Sequence, residues 1–100
     1  MFDSTYEFDW DDTKADTNLI KHGIRFEEAM TVFNDPLAMT RFDTHHSDEE
    51  ERWIMLGLAT GGALILVVHT YSIIDAGHVS IRIISARHST KREARQYYEG

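Results

Sequence analysis

Three apolar runs, Arg52 to Leu58, Ala63 to Thr70 and Val79 to Ala86, crowd the second half of the chain and constrain its fold more than any other feature. Each has the length of a strand, and Gly61-Gly62 joins the first two. Runs connected this closely pair as an antiparallel meander, because a parallel neighbour needs a crossover of a dozen or more residues. Leu37 to Phe42 fits a further edge strand. Near the start, Tyr6, Phe8 and Trp10 alternate with polar residues, which predicts a short strand over Tyr6 to Asp9.

Helical spacing fills the rest. Asp11 or Asp12 can cap a helix start, since a carboxylate accepts its free amide hydrogens. That helix would put Ala15, Leu19 and His22 on one inner stripe, and Gly23 would end it in the left-handed conformation. Phe26, Ala29, Met30 and Phe33 form the stripe of a second helix, stopped by Asn34-Asp35-Pro36. Thr90 and Glu93 have the spacing of a capping box and open a last helix through Tyr98. This order predicts an α+β fold: a small antiparallel sheet with two N-terminal helices and one C-terminal helix. With no linker-like stretch, residues 1–100 read as a single domain.

At 42% hydrophobic and 27% charged, the composition is that of a folded chain and not of a disordered one. The lack of cysteine removes disulfides, thiolate metal sites and a Cys nucleophile. The acidic start lacks the basic end and apolar run of a signal peptide, and no apolar stretch approaches the length of a membrane span. The expected compartment is the cytoplasm, with no membrane partner.

A net charge of −7 argues against a polyanionic partner, but its distribution does not. Residues 1–51 hold fourteen acidic against four basic side chains, giving −10, while residues 52–100 hold three against six, giving +3. Screening acts over about 10 Å at moderate salt, so a cluster of arginines attracts phosphate despite a repelling half. The alternative is that the asymmetry only reflects solvated faces.

Strand alternation aims Arg82 away from Ile81 and Ile83, with Ser80 and Ile84 as neighbours on its own face. His69 shares a face with Ile65 and Val67, Arg52 begins the first meander strand, and Arg87 lies just past the last. Metal-free RNA cleavage needs a proton taken from the 2′-hydroxyl, charge stabilised on the phosphate and a proton returned to the leaving oxygen. Arginine suits the middle task through its planar, permanently charged fork. Histidine, with an unperturbed pKa of roughly 6.5, suits the outer two. Each residue also has a purely structural reading. His69 would be a satisfied histidine at a strand end, Arg82 part of a solvated face, and Glu51, the other candidate base, part of an acidic turn. His22 reads best as a helix-end histidine bonded to a carbonyl. His45, His46, Asp48 and Glu49 have metal-compatible chemistry, but adjacent histidines in one loop bind a single ion with poor geometry, so no metal and no cofactor are expected. Lys91, Arg92, Arg95 and Tyr98 either meet RNA, with tyrosine rings as stacking surfaces, or form an ordinary exposed helix face.

The segments EFDWDDTKADTNLIKHGIRFEEAMTVFNDPLA, HSDEEERWIMLG, LVVHT and IRIISARHSTKREARQYYE together resemble, in order and over almost the whole chain, the BrnT toxins of bacterial toxin-antitoxin modules. The resemblance implies a RelE-like ribonuclease fold, metal-independent RNA cleavage and inhibition by a BrnA-type antitoxin. It further implies that operator DNA is contacted only through that antitoxin. Residue by residue it highlights Arg52, His69, Arg82 and Arg87, with Glu93 and Tyr98 in the last helix. It assigns phosphate and transition-state charge to Arg82 and Arg87, proton transfer to His69 and orientation to Arg52. Arg25 departs from the pattern, standing where the family often has a serine cap, a loss of about 1 kcal/mol at that helix start. The acidic first half also departs from an RNA-seeking protein and implies low intrinsic activity. A catalytically weak module that binds an antitoxin and acts with it in operon repression is the competing expectation.

Overall fold

The computed structural model describes residues 5–45 and 50–100. The elements run β1 (Thr5–Asp9), α1 (Asp12–His22), α2 (Phe26–Met30), a 3-10 turn (Thr31–Asn34), β2 (Met39–Phe42), β3 (Trp53–Leu58), β4 (Leu64–Asp75), β5 (His78–His88) and α3 (Lys91–Glu99). They form the expected α+β fold, but the sheet is larger and of a different kind. It has five strands in the order β1-β5-β4-β3-β2, and β1 lies parallel to β5. The expectation of a small, wholly antiparallel sheet is thus corrected to a mixed one. β1 is followed by helices that carry the chain across the sheet to its far edge. The meander then returns strand by strand until β5 reaches β1.

Local chemistry accounts for the boundaries. Asp11 caps α1 by accepting from the Lys14 backbone amide at 3.1 Å, and Gly23 closes it at φ 70°. Arg25 caps α2 without a side-chain hydrogen bond, and the helix lasts only five residues. The expected single helix to Asn34 instead tightens into the 3-10 turn. There the Thr31 hydroxyl donates to the Glu28 carbonyl at 2.7 Å and accepts from the Thr60 amide at 2.9 Å. α3 carries both halves of its capping box. β4 and β5 run further than expected and end in a hairpin across Ala76-Gly77, Gly77 being left-handed at φ 93°.

The core lies between one face of the sheet and α2 with its 3-10 turn. Ile24, Phe26, Ala29 and Val32 pack on Ile65, Val67, Ile81, Ile83 and Ala86, all buried. Phe33 makes edge contacts with Phe8 at 5.2 Å and His69 at 4.9 Å. Gly57 lets this layer sit close: a Cβ there would meet the Val32 side chain at 2.9 Å and that of Ala38 at 3.0 Å.

α1 docks differently. Its fully buried residue is Asn18, while Ala15 and Leu19 are half-buried and His22 is exposed. β1 pairs with β5 only as far as Arg82, so β5 has a free edge beyond it. Asn18 occupies that edge as a strand would. Its Oδ1 accepts from the Ala86 amide at 3.0 Å, and its Nδ2 donates to the carbonyls of Ala86 at 2.8 Å and Ile24 at 3.1 Å. His22 therefore does not belong to the inner stripe.

Candidate functional site

Alternation along the strands sorts the side chains onto two faces, and the register decides which residues share one. The helix-covered face carries Ile65, Val67 and His69 of β4. The other carries Leu66, Val68 and Thr70, which pair with Arg87, Ser85 and Arg82 of β5 respectively. A register shift between Val68 and His69 takes Ile84 out of the pairing, so Arg82 shares its face with Ser80 and Ser85, not with Ile84 as expected. Across β3, Leu66 meets Leu56 and Val68 meets Ile54, which in turn pairs with Arg41 of β2. The Asp43 amide donates to the Arg52 carbonyl at 2.8 Å, extending the β2–β3 ladder one step past Phe42 and Trp53. Arg52 therefore alternates with Trp53 and belongs to the face of Ile54, in line with Thr70 and Arg82.

Arg41, Arg52, Arg82 and Arg87 thus share the face opposite α2, part of which α3 covers over the buried Leu56 and Leu66, though not around one point. Neighbouring strands are about 4.8 Å apart, which sets Arg52 and Arg82 on the order of 10 Å apart at Cα, flanking Thr70. The Arg87 row lies four residues along β4 from them, about 13 Å away. Arg52, His69, Arg82 and Arg87, highlighted together by the resemblance, therefore do not gather around one phosphate: the arginines form two groups along one surface.

Arg82 and Arg52 form one group. Arg82 lies 3.4 Å from the Asp9 carboxylate, with both side chains largely exposed, and Arg52 is 3.4 Å from Glu50. A long, exposed pair such as Arg82–Asp9 contributes little and yields readily to a competing anion, whereas the Arg52 side chain is half-buried. Glu51 is exposed, as an acidic turn would have it.

Arg87 is bound more firmly. It donates in bidentate fashion to Glu93 at 2.8 and 2.9 Å and also reaches the His88 carbonyl at 3.1 Å. The guanidinium hydrogen bonds hold the Glu93 carboxyl down at about 2, against the opposing effect of burial, while Glu93 raises Arg87 in return. Glu93 and Gln96 of α3 overhang a groove of about 130 Å³ floored by Ile54, Leu56 and Leu66, with Arg41 on its opposite side. α3 is anchored there by the Tyr97 hydroxyl, which donates to Asp35. That carboxylate pushes the phenol up to about 12. For Asp35 itself, burial raises the pKa, but hydrogen bonds from the Leu58 amide, Tyr97 and the Leu37 amide outweigh it and bring the carboxyl below its ordinary value.

His69 does not join the arginines. It is 3% exposed, on the opposite side of the sheet beneath Phe33. Burial pushes its pKa down, only partly offset by a backbone hydrogen bond at Val67, and its Nδ1 has no partner among the described residues. The groove beside it, about 270 Å³, is lined by Tyr6, Met55, Tyr71, Ile73 and Val79 and is apolar. Proton transfer by His69 at the arginine face is therefore corrected: a layer of backbone stands between them.

Lys91, Arg92, Arg95 and Tyr98 are all exposed on α3, on the side turned away from Glu93 and Tyr97. Tyr97 and Tyr98 meet edge to face at 5.1 Å, so one tyrosine is packed and one is open. Of the acidic loop, His46, Asp48 and Glu49 lie outside the described residues. His45 is exposed and its amide donates to the Asp43 carboxylate at 3.2 Å. Among the described residues no three His, Cys, Asp or Glu side chains are grouped to hold a metal ion. Sequence reasoning missed Arg41, although the alternation Met39, Arg41 in an edge strand would have placed it once the register was known.

Residues 10–93 match the family profile described as ribonuclease toxin, BrnT, of type II toxin-antitoxin system. The chain belongs to the BrnT family. No curated protein matches it. Its fold is similar to that of the Brucella abortus ribonuclease toxin BrnT, known from a crystal structure at 1.1 Å. The two are 22% identical, with a TM-score of 0.55 over 87% of this chain and 100% of the Brucella chain. At that identity the likeness speaks for the fold alone. Membership of the BrnT family makes this a ribonuclease toxin domain of a type II module, which implies an antitoxin partner. The BrnT profile spans both arginine groups and ends at Glu93. No described helix is long and apolar enough to cross a membrane.

Proposed function

We propose that this chain is a metal-independent endoribonuclease that cleaves RNA along its arginine-bearing face and so inhibits translation. A BrnA-type antitoxin neutralises it, and operator DNA is met only through that antitoxin. It works in the cytoplasm with a RelE-like mode of cleavage. The observation that carries the reading is the placement of Arg41, Arg52, Arg82 and Arg87 on one face of one sheet, with a carboxylate beside the last.

Arg82, Arg52 and Thr70 hold the strand at one phosphate, and the Arg87–Glu93 pair works on another. A phosphate that competes for Arg87 takes its fork in two parallel hydrogen bonds, the geometry guanidinium suits best. Glu93 then loses the partner that keeps it acidic, and its pKa rises toward the ordinary carboxylate range. The freed carboxylate accepts the 2′-hydroxyl proton, the 2′-oxygen attacks phosphorus, and the 5′-oxygen leaves with a proton from water. Arg87 stabilises the charge gained on the phosphate oxygens. The exposed cations Lys91, Arg92 and Arg95 and the open Tyr98 ring extend the contact along α3.

The test is cleavage of single-stranded RNA by purified, partner-free protein in EDTA. Cleavage is expected. A hydrogen bond to a charged group is worth roughly 1.5–3 kcal/mol, so Arg82→Ala should slow it about ten- to a hundredfold without changing the fold. Intact RNA at high protein concentration would overturn the reading in favour of a non-catalytic module that binds an antitoxin. One observation points toward that second reading: Arg87 is already neutralised within the chain by Glu93.

A further inference from the structure

The four basic side chains of the acidic first half are Lys14, Lys21, Arg25 and Arg41, and two of them meet in a groove outside the site described above. Asn18 fixes α1 against the free edge of β5. Lys14, Lys21 and His22 stand at i−4, i+3 and i+4 from it, so docking Asn18 necessarily turns them toward the same edge. With Thr17 they line a groove of about 200 Å³ whose other wall is Ile84 and Ser85. Among the described residues no acidic side chain lines it. The acidic residues Asp12 and Asp16 face a separate depression on the other flank of α1, beside Arg25 and Glu27. The helix thus sorts its charges by side.

The register shift at Ile84 brings Ser85, one wall of this groove, onto the arginine face. Ser85 lines the groove and also stands between Arg82 and Arg87 on the arginine-bearing side of β5. A chain of phosphates leaving either arginine group past Ser85 passes round the sheet edge onto the two lysines. The volume is below the roughly 300–1,000 Å³ of small-molecule pockets, which suits a backbone crossing it better than an enclosed base.

We propose that the α1–β5 groove is a second binding strip for the RNA backbone, with Lys14 and Lys21 contacting phosphates and Thr17 and His22 offering hydrogen bonds. The inference rests on the ribonuclease reading and adds to it a path for RNA beyond the cleaved linkage. Such a strip serves long substrates and is dispensable for short ones.

The experiment measures binding of a fluorescein-labelled, uncleavable 2′-O-methyl oligoribonucleotide in EDTA across a salt series, together with cleavage of a dinucleotide and of a long RNA. The proteins compared are wild type, K14A/K21A, R82A and R25A, the last removing a cation from the opposite flank of α1. Expected for K14A/K21A is binding weakened about tenfold, with a log–log salt slope flatter by about 1 to 2. Its cleavage of long RNA should slow, while the dinucleotide is cleaved at the wild-type rate and R25A behaves as wild type. If K14A/K21A binds like wild type while R82A does not, the groove is wrong and the ribonuclease reading stands. If R25A weakens binding as much as K14A/K21A, only bulk charge is at work and the groove is again overturned. If wild type binds no RNA, both readings fall.

Discussion

Glu93 carries a testable consequence in its acidity. It titrates at about 2 in the folded chain against 4.5 for a free glutamate, because Arg87 donates two hydrogen bonds to it. Between those values the unfolded chain binds the proton and the folded chain does not. The stability this contributes is therefore fully present above 4.5 and is lost as pH falls toward 2. A difference of that size converts to about 3 kcal/mol, which we discount to about 1–2 kcal/mol because the Arg87 side chain is 39% exposed and screened. Denaturant unfolding of Glu93→Gln should accordingly show a flatter acid limb than wild type, and an unchanged limb would mean the pair is not formed in solution. His69 gives a second prediction with its own sign. Its lowered pKa means that the unfolded chain takes up a proton first as pH drops below 6.5, so the buried imidazole costs stability on the acid side. His69→Leu should remove that loss and leave RNA cleavage at the wild-type rate. A collapse of cleavage in a folded His69→Leu protein would return the histidine to the chemistry.

At the scale of elements, the meander and the caps were legible because their signals are local: short connections, alternation, Gly23 after a helix, and the Thr90–Glu93 spacing. The joining of β1 to β5 was not, since a five-residue strand carries no mark of a partner more than seventy residues away. The same holds for the site. Alternation placed Arg82 correctly relative to Ile81 and Ile83, and placed His69 with Ile65 and Val67. Whether the two residues share a face depends on register across strands, which a one-residue slip inverts, and the Ile84 irregularity changes the count within β5. Asn18 was overlooked because apolar periodicity ignores an amide that substitutes for a strand neighbour. Gly57 is a position where packing overrides local sequence. Gly57→Ala should destabilise the fold by about 1–3 kcal/mol through crowding against the 3-10 turn, measured as a lower unfolding midpoint. A neutral result would mean that this layer gives way more easily than its close contacts suggest.

For the whole molecule, one sheet separates two surfaces of different character. One is buried under helices and ends in an apolar groove beside His69. The other presents arginines from β2, from the residue just before β3, and from β5, with α3 overhanging one end. An acidic chain of net charge −7 can serve a polyanion because its folding collects cations on one side, at separations near the screening length. The most direct test is the amide and arginine side-chain NMR spectrum of the isotope-labelled protein titrated with a 2′-O-methyl oligoribonucleotide. RNA binding along the arginine face should give saturable shifts at Arg41, Arg52, Thr70, Arg82 and Arg87, with Tyr71, Ile73 and Met55 on the apolar groove left in place. Shifts confined to that groove, or none at any concentration, would contradict it.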